Sequence, residues 1–134
     1  MKFHDFFEGQ TYEQKIRITD AMVKGFADLV GDQNPIHLDE DYAKQTRFGQ
    51  RIAHGMLVAS IISKILGCDF PGPGTIYLSQ SVQFRGPVSI DQEILYRFAV
   101  LEKNDEKRRL KIETNVTDLE GISLVLGEAL VMVL

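Results

Sequence analysis

Helix and loop signals fill the first half of this chain and strand signals the second, which predicts an α+β fold with an antiparallel sheet wrapped around a long buried central helix. Residues 52–66 are apolar on nearly every face, with Lys64 the only full charge, as expected of a helix enclosed by a core. From Thr75 onward the pattern changes to period two. Breaks at Gly86-Pro87, Asn104-Asp105 and Glu120-Gly121 divide that half into four expected strands, 75–84, 93–101, 110–117 and 123–134.

The elements follow in order. Residues 10–18 alternate well enough for a first strand. Thr19 then stands as an N-cap before Asp20 and Ala21, and Met22, Phe26, Leu29 and Val30 recur at helical spacing. Gly31 closes that helix as its left-handed residue. At Asn34-Pro35 the chain leaves the helix, because the proline ring disfavours helical geometry in the residue before it. A short helix over 40–45 and a loop over 46–50 precede the central helix, which Gly67 is expected to end. The stretch 69–74, DFPGPG, is turn chemistry. Leu95, Arg97 and Ala99 alternate with Tyr96, Phe98 and Val100, so both faces of that strand carry apolar groups and call for cover on both sides or a partner on one. No repeat, low-complexity run or long linker interrupts the chain, so 1–134 reads as one domain.

A formal net charge of −4 argues against a general nucleic-acid binder, which needs a basic face for phosphates. A small local basic patch for a phosphorylated cofactor stays compatible with that balance. With Cys68 the only cysteine, no intrachain disulfide forms, which suits a reducing compartment. Cys68 reads as structural, since a nucleophile needs a neighbouring base; Met56 and Met132 read as core. The opening MKFHDFFEGQ has no apolar signal core, and 52–66 falls short of the roughly 20 residues that span a bilayer. The expectation is a soluble, cytoplasmic protein with no membrane association.

Two segments carry chemistry. In Gly31-Asp32-Gln33-Asn34-Pro35-Ile36-His37 a carboxylate and an imidazole stand five positions apart across a proline bend. That spacing misses a common helix face, but a turn at Asn34-Pro35 brings both side chains to one point. A carboxylate and a histidine converging on one water form a general acid–base pair. Singly, Asp32 could instead serve an Asx-turn and His37 could be a surface histidine.

The second segment, Ala53-His54-Gly55-Met56-Leu57, stands at the head of the apolar helix. Helix N-termini present unpaired N–H groups and the positive end of the dipole. A glycine there allows close approach by a ligand oxygen that gains charge. Close helix–sheet packing is the other use of Gly55. His4, His37 and His54 show no metal-ligand spacing, so no metal is expected.

Together, Asp32-Gln33-Asn34-Pro35-Ile36-His37, Asp39, Tyr42-Ala43, Phe48-Gly49, Ile52 and His54-Gly55-Met56-Leu57 resemble the signature of the MaoC-like (R)-specific enoyl-CoA hydratases, also called hydratase 2. The resemblance covers most of the chain and implies a single hot-dog domain. One departure is Val30, where the family usually carries a small residue such as Ser or Thr; it is expected to change helix-end packing and leave the chemistry intact. The resemblance implies that Asp32 and His37 are the catalytic pair and that Gly55 supplies an oxyanion-hole N–H. It further implies that Asn34 shapes the loop and touches substrate, and that Ser63 lies near the active site. For Ser63, a bond back to a helix carbonyl is the competing use.

The implied reaction is reversible addition of water to a trans-2-enoyl-CoA, giving a (3R)-3-hydroxyacyl-CoA. Asp32 acts as base, and His37 orients the water and returns a proton to the α-carbon. No cofactor is called for. A single hot dog resembles half of a working unit, which implies a homodimer or higher homo-oligomer. Arg85, Lys103, Lys107, Arg108 and Arg109 are candidates for the coenzyme A phosphates, against a plain solvated hairpin at 103–109. Alternatives are a (3R)-hydroxyacyl-carrier-protein dehydratase, a hot-dog acyl-CoA thioesterase and a non-catalytic acyl-binding subunit.

Overall fold

The structure, a computed structural model, describes residues 2–134. A short 3-10 turn, Phe3–Asp5, leads into strand β1, Thr11–Arg17. Helices α1 (Asp20–Val30), α2 (Pro35–Leu38), α3 (Glu40–Lys44) and α4 (Gly55–Cys68) follow. The rest is strand: β2 (Thr75–Gln80), β3 (Gln83–Phe84), β4 (Glu93–Asn104), β5 (Arg109–Thr117) and β6 (Ser123–Val133).

The strands form one antiparallel sheet in the order β1-β4-β5-β6-β2, with β3 also pairing β6. Its inner face carries Ile94, Tyr96, Phe98 and Val100 of β4 beside Leu110, Ile112 and Val116 of β5, all almost fully buried. Against them lie Leu57, Val58, Ile61, Ile62, Ile65 and Leu66 of α4 in one continuous core. The buried Tyr96 hydroxyl donates to Val58 O at 2.6 Å, fixing helix to sheet. This is the sheet wrapped around a helix that the alternation and the apolar helix predict, and the hot-dog fold that the resemblance implies.

α1 begins and ends as its sequence dictates: Thr19 Oγ1 accepts from Met22 N, and Gly31 caps the end at φ 82°. Val30 at that end is largely exposed. The central helix differs from expectation at both ends. Ile52, Ala53 and His54 lie outside it, because Ile52 bridges Ser89 and Ala53 N donates to Val88 O at 2.7 Å. Gly67 is an ordinary helical residue; the helix stops only as Pro71 approaches, which disfavours helix at Phe70. α4 is also less enclosed than its composition suggests, with Met56, Ser60, Ser63 and Lys64 exposed along one side. The expected strand 75–84 is broken at Ser81-Val82, where Ser81 N donates to Glu128 O and the chain crosses directly over Gly127. A Cβ at Gly127 would sit 1.8 Å from Ser81 O, so only glycine permits that crossing. No helix among the described residues is long and apolar enough to cross a membrane.

Candidate active site

The Asp32–His37 loop is built from local bonds. Asn34 N donates to Asp32 Oδ1 at 3.2 Å, an Asx-turn that fixes the carboxylate and leaves Oδ2 without a donor among the described residues. Asn34 Oδ1 in turn accepts from Ile36 N as the N-cap of α2, with Pro35 at the first helical position. The bland use of Asp32 and the chemical one therefore coexist. Asn34 shapes the loop, as expected, but it is exposed and lies outside the cavity lining.

His37 is half-buried, and its Nδ1 lies 2.7 Å from Ile52 O. A carbonyl only accepts, so Nδ1 carries the proton and Nε2 keeps its lone pair. Burial lowers the His37 pKa below its ordinary value, and neighbouring His54 adds to this; the Ile52 bond and the Asp32 carboxylate oppose it. The ring is therefore neutral near pH 7. Arg51 braces the same turn, donating from Nε to His37 O at 2.7 Å and from Nη2 to Asp20 Oδ1 at 2.6 Å.

Gly55 is the first residue of α4, behind the N-cap His54. Leu57 N turns back to His54 O, while the N–H groups of Gly55 and Met56, the first two of the helix, have no intrahelical partner. The ring of Phe84 covers its Cα so closely that a Cβ would meet Phe84 Cε1 at 2.8 Å. Gly55 thus serves close packing and an open helix end together.

Asp32, His37, His54 and Gly55 all line one open cavity of ≈ 460 Å³, with Met56, Phe84 and Arg85 among its other walls. Met56 is thereby corrected from core to cavity wall, 59% exposed. Ser63 is exposed and does not line the cavity; the helix serine that bonds a carbonyl is Ser60, to Leu57 O at 2.7 Å. Of the basic candidates only Arg85 reaches the cavity. Lys103 and Arg108 lie over the Phe3 ring on the β4–β5 hairpin, and Lys107 and Arg109 border a separate shallow recess beside them. Cys68 is exposed at the end of α4.

Sequence spacing gave no role to His54 and no reason to group the histidines, yet the fold brings His37 and His54 together. One donor atom each from Asp32, His37 and His54 lie within 4.8 Å of one another. The His37 and His54 rings stack with centroids 3.9 Å apart and 31° between planes. His37 Nδ1 is engaged by Ile52 O and His54 Nε2 by Asp32 O, which leaves one ring nitrogen of each beside the carboxylate. Such a trio can hold a water and pass a proton. Arg47, stacked on Phe48 at 4.9 Å, is a second cavity residue without a sequence signal.

Residues 6–121 match the family described as MaoC like domain. A 3-hydroxybutyryl-CoA dehydratase of Methylorubrum extorquens is 44% identical over 132 residues, 98% of this chain and 83% of that protein. An (R)-specific enoyl-CoA hydratase of Rhodospirillum rubrum is 42% identical over 131 residues, 98% of this chain and 90% of its own. Among solved structures, an unliganded R-hydratase from Pseudomonas aeruginosa superposes with TM-score 0.94 at 39% identity, covering 98% of this chain and 84% of that one.

Proposed function

The chain belongs to the MaoC-like family, and from that premise we propose that it adds water reversibly to trans-2-enoyl-CoA to give (3R)-3-hydroxyacyl-CoA. One observation carries the chemistry: the Asp32 carboxylate and the neutral His37 ring meet in a cavity that also contains the head of α4 at Gly55. The dehydratase and hydratase relatives run the two directions of one hydro-lyase reaction.

The scheme follows from the donors and acceptors available. The substrate carbonyl accepts from the Gly55 N–H, which polarises the double bond and stabilises the enolate charge. One water donates to Asp32 and to His37 Nε2. Since the Nδ1–H of His37 is committed to Ile52 O, neutral His37 has no free proton of its own. It therefore accepts the water's proton as oxygen bonds the β-carbon, and returns that proton to the α-carbon. Asp32 orients the water and stabilises the imidazolium between those two steps. This moves the base role expected of Asp32 to His37 and the orienting role to Asp32, while the addition remains syn because both groups act from one side.

Two further parts of the proposal concern context. A second copy of the chain would cover the exposed side of α4 that carries Ser63, and a homodimer by light scattering is the expected state. The setting is cytoplasmic, in acyl-thioester metabolism.

Loss of absorbance at the enoyl thioester band of crotonyl-CoA, followed by product chirality, tests the assignment. Asp32→Asn and His37→Ala should each lower turnover by at least ~10²-fold, the usual size for acid–base groups, while remaining folded. Near-normal hydration by either variant, or an (S) product, would sink it. Thiol release from a saturated acyl-CoA would point to a thioesterase instead. A preference for the carrier-protein substrate would move the assignment to the dehydratase type.

A further inference from the structure

Resting on the hydratase reading, we propose that His54 is a positioning residue: its side chain holds the Asp32–His37 pair in register with the Gly55 end of α4. His54 is 2% exposed, and its Nε2 lies 3.1 Å from the backbone oxygen of Asp32. That oxygen only accepts, so Nε2 carries the proton and Nδ1 bears the lone pair. One face of the ring stacks on His37 at 3.9 Å, and Phe26 packs against it at 5.0 Å and 60°. The same residue is the N-cap of α4: its carbonyl accepts from Leu57 N and Val58 N, and the next N–H in the chain is that of Gly55. One residue thus touches the backbone of the carboxylate, the ring of its partner and the helix end that receives the carbonyl.

Packing alone does not account for a histidine at this point. His54 Nδ1 is buried and, among the described residues, has no hydrogen-bond partner. Buried polar atoms without partners are disfavoured, and an apolar ring would fill the gap between Phe26 and His37 without that cost. What an apolar ring could not do is donate to Asp32 O. The groups held by that bond act on the reacting atoms, so losing it should lower kcat with little change in KM. Displacements of about 1 Å in such groups cost up to ~10²-fold.

The test compares His54→Phe, which keeps a ring and loses the donor, with His54→Gln, whose Nε2 can reach the same oxygen. Steady-state hydration of crotonyl-CoA and thermal melting are measured on the full chain. His54→Phe is expected to stay folded, with kcat down roughly 10- to 100-fold and KM within about threefold. His54→Gln should recover most of that loss. His54→Phe with kcat within about twofold of wild type overturns the proposal, as does His54→Gln falling as far as His54→Phe. Should His54→Phe not fold, the pH profile of His54→Gln decides. Asp32 and His37 face His54 directly, and Arg47 and Arg85 are the other charged groups that line the same cavity. Removing a ring that lowers the His37 pKa should move the acid limb of kcat/KM to higher pH, and an unmoved limb counts against the coupling. An inactive wild type defeats the hydratase reading itself, whereas an active wild type with a fully active His54→Phe defeats only the role of His54.

Discussion

From Ile94 to Val100 in β4 and from Leu110 to Val116 in β5 every second side chain is buried, whereas between Gly31 and His37 none is. The sheet takes its shape from apolar area removed from water, a force without direction that rewards any close packing. The loop takes its shape from single directed bonds: Gly31 N to Ala27 O, Asn34 N to Asp32 Oδ1, Ile36 N to Asn34 Oδ1, and His37 Nδ1 to Ile52 O. The two regions meet at α4, whose body belongs to the core and whose first turn belongs to the site. Stability and turnover should accordingly respond to different substitutions.

The largest stability effect is expected in the sheet. Ile112 is fully buried at the centre of β5, and Ile112→Ala should cost about 2–5 kcal/mol through lost transfer energy and the cavity left behind. Urea unfolding measures that loss. Crotonyl-CoA turnover per folded molecule, assayed well below the melting temperature, should stay close to wild type. A collapse of turnover under those conditions would show that the sheet sets the site's geometry directly and would remove the separation between regions.

Gly55 lies on the boundary, and its substitution divides the two influences. In Gly55→Ala the added methyl meets the Phe84 ring, and overpacking of this kind costs about 1–3 kcal/mol. Phe84 is 53% exposed and has room to swing, which places the expected cost at the low end. Turnover should fall as well, because the methyl stands where a substrate carbonyl must approach. Adding Phe84→Leu should restore the melting temperature and leave turnover low. Recovery of both would reduce Gly55 to a packing residue.

The same contrast explains what could be read in advance. Alternation and turn residues were enough for the sheet, since burying one face demands period two regardless of the partner strand. α1 was legible down to its caps because Thr19 and Gly31 act on neighbours in sequence. The ends of α4 were not: Ile52 and Ala53 are held extended by Ser89 and Val88, more than thirty positions away. Asp32 and His37 stood out through the proline bend between them. His54 did not, because a histidine beside Gly55 acquires meaning only when α4 and the loop are packed together and its ring reaches Asp32 O. Ser63 fell on the side of α4 that a single chain leaves open, and periodicity in so apolar a helix gives little sense of which side that is.

A smaller effect is expected where sheet and helix share one polar contact. The Tyr96 hydroxyl donates to Val58 O in the core, and burial pushes its pKa upward, so it remains a donor throughout the accessible range. Tyr96→Phe keeps the ring and removes the bond, at about 0.5–1.5 kcal/mol. Chemical denaturation should resolve that loss. A turnover change larger than the stability change would mean that this bond sets the angle of α4, and with it the position of Gly55.

The smallest effect links the site to stability through protons. His37 has a folded-state pKa below its ordinary 6.5, so between those two values the unfolded chain binds a proton that the folded chain does not. Stability from this group is therefore complete above about 6.5 and declines as pH falls toward and through the folded value. Asp20, held below the ordinary carboxylate value by its bonds to Lys24 and Arg51, and Asp69, held there by Lys64, lose their contributions only below about 4. The imidazole window opens near 6.5 and the carboxylate windows only near 4, so a difference in melting temperature between wild type and His37→Gln that starts to narrow just below neutral pH belongs to the imidazole. Under the proposed scheme kcat/KM should decline over the same acid range, since only neutral His37 accepts the water's proton. A decline in stability without one in kcat/KM would leave His37 as a buried structural base and return the proton transfer to Asp32.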